Sequence, residues 1–216
     1  MKQRWIVTLK VLVHVACFGP IAWLLWRLYL SATSNPGALG PDPTHTVTFF
    51  TGHGTLRLLV ITLAITPVRK LIPKLSWLVR FRRMLGLYAF FYGCLHLTTY
   101  VWLYAGLSWA AIVDDISQRR FITAGLAAWV LMLPLALTST SWSIRKMGGK
   151  NWNRLHKLAY LAAIAGVVHY WWGVKTGVKT PLAITVVLAV VLGMRPLLAW
   201  RATAKKRATA SGVSVG

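Results

Sequence analysis

His96 and His169 are the residues of this chain best placed to do chemistry, because each is an ionisable group inside a long apolar run. Such a histidine is expensive to bury in a bilayer and is a functional-site candidate by default. His156 precedes His169 by thirteen residues in the stretch NWNRLHKLAYLAAIAGVVHYWW, residues 151–172. At ~100° per residue that spacing sets the two rings roughly 140° apart around an ideal helix, so they form no single stripe. The other histidines read more plainly. His14 and His53 suit packing or interfacial hydrogen bonding, and His45 lies in a solvated loop. Arg57 reads either as a partner for an anionic group or as an arginine snorkelling to the interface.

The elements that must position these groups are membrane spans. Of the 216 residues, 56% are hydrophobic and only Asp42, Asp114 and Asp115 are acidic. The mean hydropathy is +0.58. A soluble domain of this size needs far more surface charge. The expected fold is therefore all-α: a six-transmembrane-helix bundle, with spans near 7–30, 52–68, 84–105, 121–140, 155–173 and 181–200. Pro20 is expected to kink the first span, and Pro67 to stop the second. The formal charge of +22 does not indicate nucleic-acid binding, since the basic residues form short clusters between apolar runs. Cys17 and Cys94 fall inside apolar runs without a CxxC pair and read as small buried hydrophobes.

Lysines and arginines set the orientation. Six of them (Arg69, Lys70, Lys74, Arg80, Arg82 and Arg83) lie between spans two and three. Further clusters lie before span one, between spans four and five, and after span six, whereas residues 31–50 have none. The positive-inside rule then puts both termini in the cytoplasm. The MKQR start leads into a retained first span with no obvious cleavage site. Tryptophans cluster near both faces as an aromatic belt, and the small polar tail 201–216 reads as basic, cytoplasmic and disordered.

Depth links the two principal histidines. His96 is twelve residues into span three, ~18 Å at the helical rise, and His169 is fourteen residues into span five, ~21 Å. Both spans run in one direction, so the rings share the outer half of the membrane. Two imidazoles at matched depth can supply both axial ligands of a haem. The alternative is that each ring only hydrogen-bonds a neighbouring helix. Zinc fits less well, because no cysteine or carboxylate cluster completes a site. His156, near the cytoplasmic end of span five, is left with three readings: a ligand to a second haem, a contact to another cofactor, or a hydrogen bond to a carbonyl.

Three segments carry a resemblance: FFTGHGTLRLLVITLAITP (49–67), RFRRMLGLYAFFYGCLHLTTY (80–100) and LALTSTSWSIRKMGGKNWNRLHKLAYLAAIAGVVHYWW (135–172). Together they resemble the MsrQ family, also called YedZ, within the ferric-reductase-like transmembrane superfamily. The resemblance implies a ferric-reductase-like transmembrane haem domain over residues 1–200. It implies haem b as cofactor, with FMN also associated, in a multi-pass protein of the bacterial inner membrane. It implies electron transfer from a cytosolic flavin reductase or the quinol pool to MsrP, a periplasmic molybdopterin enzyme that reduces methionine sulfoxide. His96, His156 and His169 match the family's histidines. NADPH oxidases, distant relatives, carry two histidines on each ligand-bearing span. Here the third span has only His96, and one haem layer toward the cytoplasm stand Arg82 and Arg83. That departure weakens a two-haem reading and leaves a basic pair suited to a flavin phosphate or a haem propionate. The tail is too short for a flavin or NADPH domain, so hydride chemistry is expected on another protein. A ferric reductase, or a non-redox transporter, are the rival functions.

Overall fold

The computed structural model describes residues 3–174 and 177–212, and among them every regular element is helical. Nine α-helices follow in order: α1 (Gln3–Thr33), α2 (Pro43–Leu71), α3 (Val79–Thr99), α4 (Trp109–Gln118), α5 (Arg120–Leu137), α6 (Ser141–Met147), α7 (Gly149–Leu155), α8 (Leu158–Gly173) and α9 (Lys179–Gly212). A 3₁₀ turn, Pro73–Leu78, leads into α3, and a π segment, Tyr100–Tyr104, extends it.

Among the described residues, five helices are long and apolar enough to cross a membrane: α1, α2, α3 with its flanking turns, α5 and α9. Many of their large apolar side chains face outward, among them Val11, Val15, Leu25, Val130 and Val186. Apolar residues around the whole circumference suit lipid on the outside. The span expected over 155–173 is shorter than anticipated. α8 has 16 residues, about 24 Å, because the helix is interrupted by a turn at His156 and Lys157.

The second span also differs from expectation. It begins at Pro43, where the Asp42 carboxylate accepts from the His45 backbone N–H at 2.9 Å, an N-cap with proline in the first helical position. It does not stop at Pro67 but runs to Leu71. Proline lacks the N–H that would bond the carbonyl four residues back. That carbonyl, on the fully buried Leu63, accepts instead from Arg195 Nη2 at 2.7 Å. α1 runs through Pro20 as one helix, as a span with an internal proline does, and the neighbouring Cys17 carbonyl accepts from the Tyr92 hydroxyl at 2.9 Å. The tail expected to be disordered from residue 201 is helical as far as Gly212, in keeping with its alanine content; residues 213–216 lie outside the described part.

The chain divides into two compact units. The first comprises Met1–Thr55 and Phe91–Asp114. Its core holds Leu24, Leu39 and Val47 with Phe50, and Trp23 stacks on Phe50 at 5.7 Å. The second comprises Leu56–Phe90 and Asp115–Gly216. Its core gathers Leu59, Leu63, Ala89, Met132, Ala162, Ala163, Val167 and Leu188. Within it, α5 packs extensively against α8. Small residues, Gly125 and Ala128 on α5 and Ala162 and Ala163 on α8, suit close approach of two backbones in lipid.

Candidate functional site

His96 is positioned by α2. Its ring lies against Gly52, where an added Cβ would come within 3.0 Å of Cε1 and 3.1 Å of Nδ1. Its Nδ1 is 3.0 Å from the Thr48 carbonyl oxygen and 3.5 Å from the Thr51 hydroxyl. A carbonyl only accepts, so Nδ1 carries the proton and Nε2 the lone pair. Gly52 stands four residues after Thr48, on the turn that the ring covers.

His169 repeats this arrangement in the second unit. Its Nδ1 donates to the Phe121 carbonyl at 2.6 Å, at the start of α5. Its ring lies against Gly125, again four residues on, where an added Cβ would meet Nδ1 at 2.6 Å and Cε1 at 2.8 Å. Each imidazole is thus held by a backbone carbonyl at position i, over a glycine at position i+4. A carbonyl partner on Nδ1 is the usual device for fixing a metal-binding histidine: it sets the tautomer, holds the ring plane and raises the basicity of Nε2. Two neutral nitrogen donors of this kind suit a haem iron.

His156 is arranged the other way round. It sits in the turn between α7 and α8, stacked on Trp152 at 3.7 Å, with Nε2 3.2 Å from the Thr138 hydroxyl. That hydroxyl donates to the Pro134 carbonyl at 2.6 Å, so it accepts from His156 Nε2–H. The Trp152 indole N–H is fastened in turn to the Thr138 carbonyl at 2.8 Å. Burial, with Arg82's positive charge nearby, pulls the His156 pKa down to about 4 and keeps the ring neutral.

The two arginines proposed as a pair part company. Arg82 is half-buried and its charge reaches both His156 and Arg195, whereas Arg83 is exposed. Arg195 was missed by sequence reasoning, although an arginine within the apolar run of α9 is itself a signal. Its guanidinium donates to the Tyr160 hydroxyl through Nη1 and lies 4.6 Å from that ring's centroid. The glycines beneath the two rings were also missed; FTG and TAG reveal nothing until the carbonyl partners are known. Among the remaining histidines, His45 stacks on Phe49 at 4.1 Å, and Phe49 meets His53 edge-on at 5.2 Å, a ladder along one face of α2. Arg57 is exposed, and its charge reaches the Tyr170 hydroxyl.

Comparison with known proteins gives this geometry a context. A family model described as the ferric reductase like transmembrane component matches residues 51–167, a stretch that includes His96 and His156. The protein-methionine-sulfoxide reductase heme-binding subunit MsrQ of Xanthomonas campestris pv. campestris (strain 8004) is 43% identical over 209 residues, covering 97% of this chain and 94% of the relative. Its counterpart from Herminiimonas arsenicoxydans is 44% identical over 205 residues, covering 94% and 90%. Identity at this level over nearly the full length of both chains places this multi-pass membrane protein in the MsrQ family of ferric-reductase-like transmembrane proteins.

Proposed function

We propose that this chain is a membrane b-type cytochrome that carries electrons across the bacterial inner membrane to MsrP, a periplasmic molybdopterin methionine sulfoxide reductase. The observation that carries the reading is the repeated anchoring of His96 and His169, each Nδ1 on a backbone carbonyl and each ring over a glycine. Membership of a family whose relatives are named heme-binding subunits agrees with it.

In this reading His96 and His169 would hold one haem b. When bound, the haem supplies a one-electron carrier, and FMN would couple it to a two-electron donor. The chain's own residues do the rest. The Thr48 and Phe121 carbonyls hold the imidazole protons on Nδ1 and fix both rings. The apolar side chains of α2, α5 and α8 keep water out, which is one of the protein's means of tuning potential. Arg82 offers its guanidinium group to a flavin phosphate near His156, whereas Arg83 is exposed. The electron donor is a cytosolic flavin reductase or the quinol pool. The topology has six spans and both termini in the cytoplasm, with the 16-residue α8 as the short span; local thinning of the bilayer accommodates such a helix at modest cost.

The test is a two-step electron transfer with purified protein. A flavin reductase supplied with NADPH should reduce the haem, and oxidised MsrP with a methionine sulfoxide substrate should then reoxidise it. A haem that resists MsrP but is rapidly reoxidised by a ferric chelate would move the function to metal reduction.

A further inference from the structure

Arg195 and Arg82 form a pair of cations in the second unit for which no matching anion is found among the described residues. Among the described residues, the groups acting electrostatically on Arg195 are Tyr160 and Arg82, and neither is a carboxylate. The sequence has three carboxylate side chains, and Asp115 is paired with Arg119 at 3.0 Å. Arg195 donates through Nη1 to Tyr160 and through Nη2 to the Leu63 carbonyl, while its Nε is buried without a hydrogen-bond partner. A guanidinium held within an apolar run beside a second cation is costly unless an anion neutralises it. A planar fork with a donor to spare is the geometry that takes an oxyanion in paired hydrogen bonds.

We propose that Arg82 and Arg195, with Tyr160 and His156 at their flanks, form a phosphate-binding site, and that the second arginine of this site is Arg195 rather than Arg83. The proposal rests on the flavin reading above: the phosphate is the monoester of FMN. A phospholipid headgroup offers the same chemistry from a second source. Tyr160 is a positioning residue, since its hydroxyl fixes one edge of the guanidinium and its ring covers a face.

The experiment measures equilibrium binding of FMN and of riboflavin, which lacks the phosphate, to purified haem-loaded protein by flavin fluorescence. Bound phospholipid is quantified in the same preparations. FMN should bind more tightly than riboflavin, and Arg195→Gln should weaken FMN by about tenfold or more, the loss expected for a hydrogen bond to a charged group, with riboflavin unchanged. Arg83→Gln should leave both affinities near wild type. Arg82→Gln is the second variant, because no structural hydrogen bond of the fold depends on it among those described, and it should lose the same preference. Equal FMN binding by wild type, Arg82→Gln and Arg195→Gln would overturn the site. Loss of FMN in Arg83→Gln but not in Arg195→Gln would overturn the assignment of the second arginine. If wild type binds no flavin yet loses a stoichiometric phospholipid in both Arg82→Gln and Arg195→Gln, the phosphate site stands and the flavin reading fails.

Discussion

A methyl group on residue 125 would lie 2.6 Å from His169 Nδ1, closer than real side chains approach one another. Gly125→Ala must therefore tilt the ring off the Phe121 carbonyl or part α5 from α8, at a cost of ~1–3 kcal/mol typical of overpacking. Haem per polypeptide should fall well below wild type. Gly52→Ala, at 3.0–3.1 Å from the His96 ring, asks for a few tenths of an ångström and should retain haem with an altered low-spin spectrum. Gly193→Ala has open space around the new Cβ and should be neutral or stabilising by up to ~1 kcal/mol, the helix-propensity difference. Haem-to-protein ratio and thermal denaturation of the three variants check this order. Equal retention by Gly125→Ala and Gly193→Ala would show that the glycine does not seat the ring. His156 belongs to another class, because its Nε2–H is given to the Thr138 hydroxyl. His156→Ala should leave one haem per chain unchanged, as counted by pyridine haemochrome; a fall from two to one would contradict it. His96 and His169 were legible in the sequence because an ionisable group in an apolar run announces itself. The i and i+4 carbonyl–glycine seat was not, because each half lies on a different helix from the histidine it serves.

At the scale of elements, the most informative contact joins α9 to α2. The Leu63 carbonyl lacks a helical donor because residue 67 is proline, and Arg195 supplies one. Arg195→Met should then destabilise the protein by on the order of 1 kcal/mol, since a buried carbonyl loses its partner. In a Pro67→Ala background, residue 67 regains an N–H for that carbonyl, so the same substitution should cost measurably less. Reversible unfolding in mixed micelles, run as a double-mutant cycle, reads the coupling. Equal costs in both backgrounds would mean that the arginine is not serving the carbonyl. Pro67 reads as a stop in the sequence because the compensating donor, Arg195, is 128 residues away in the chain. The start of α2 is legible in Asp42–Pro43, a helix-start signal that hydropathy does not register because the residues around it are polar. Hydropathy also gave no notice of α4, whose Trp109 and Val113 are exposed while the neighbouring Asp114 and Asp115 are charged, a short amphipathic helix rather than a span. The break before α8 follows from the turn at His156 and Lys157, which no periodicity encodes.

For the molecule as a whole, charge asymmetry and redox centre make separate claims. Residues 34–42, outside the helices, carry no lysine or arginine, whereas the connection from Arg69 to Arg83 carries six. Alkaline phosphatase fused within 34–42 should be active, and a fusion after Gly212 inactive, in keeping with a cytoplasmic C-terminus. The reverse pattern would invert the direction of electron flow. The function proposed above turns on His96 and His169 each being a residue that would hold the haem. It is tested most directly by the reduced-minus-oxidised spectrum and haem content of membrane-inserted His96→Ala and His169→Ala, set against wild type. Wild type should contain one low-spin haem per chain, and either variant should lose nearly all of it. Full haem content with an unchanged low-spin spectrum in either variant would contradict it.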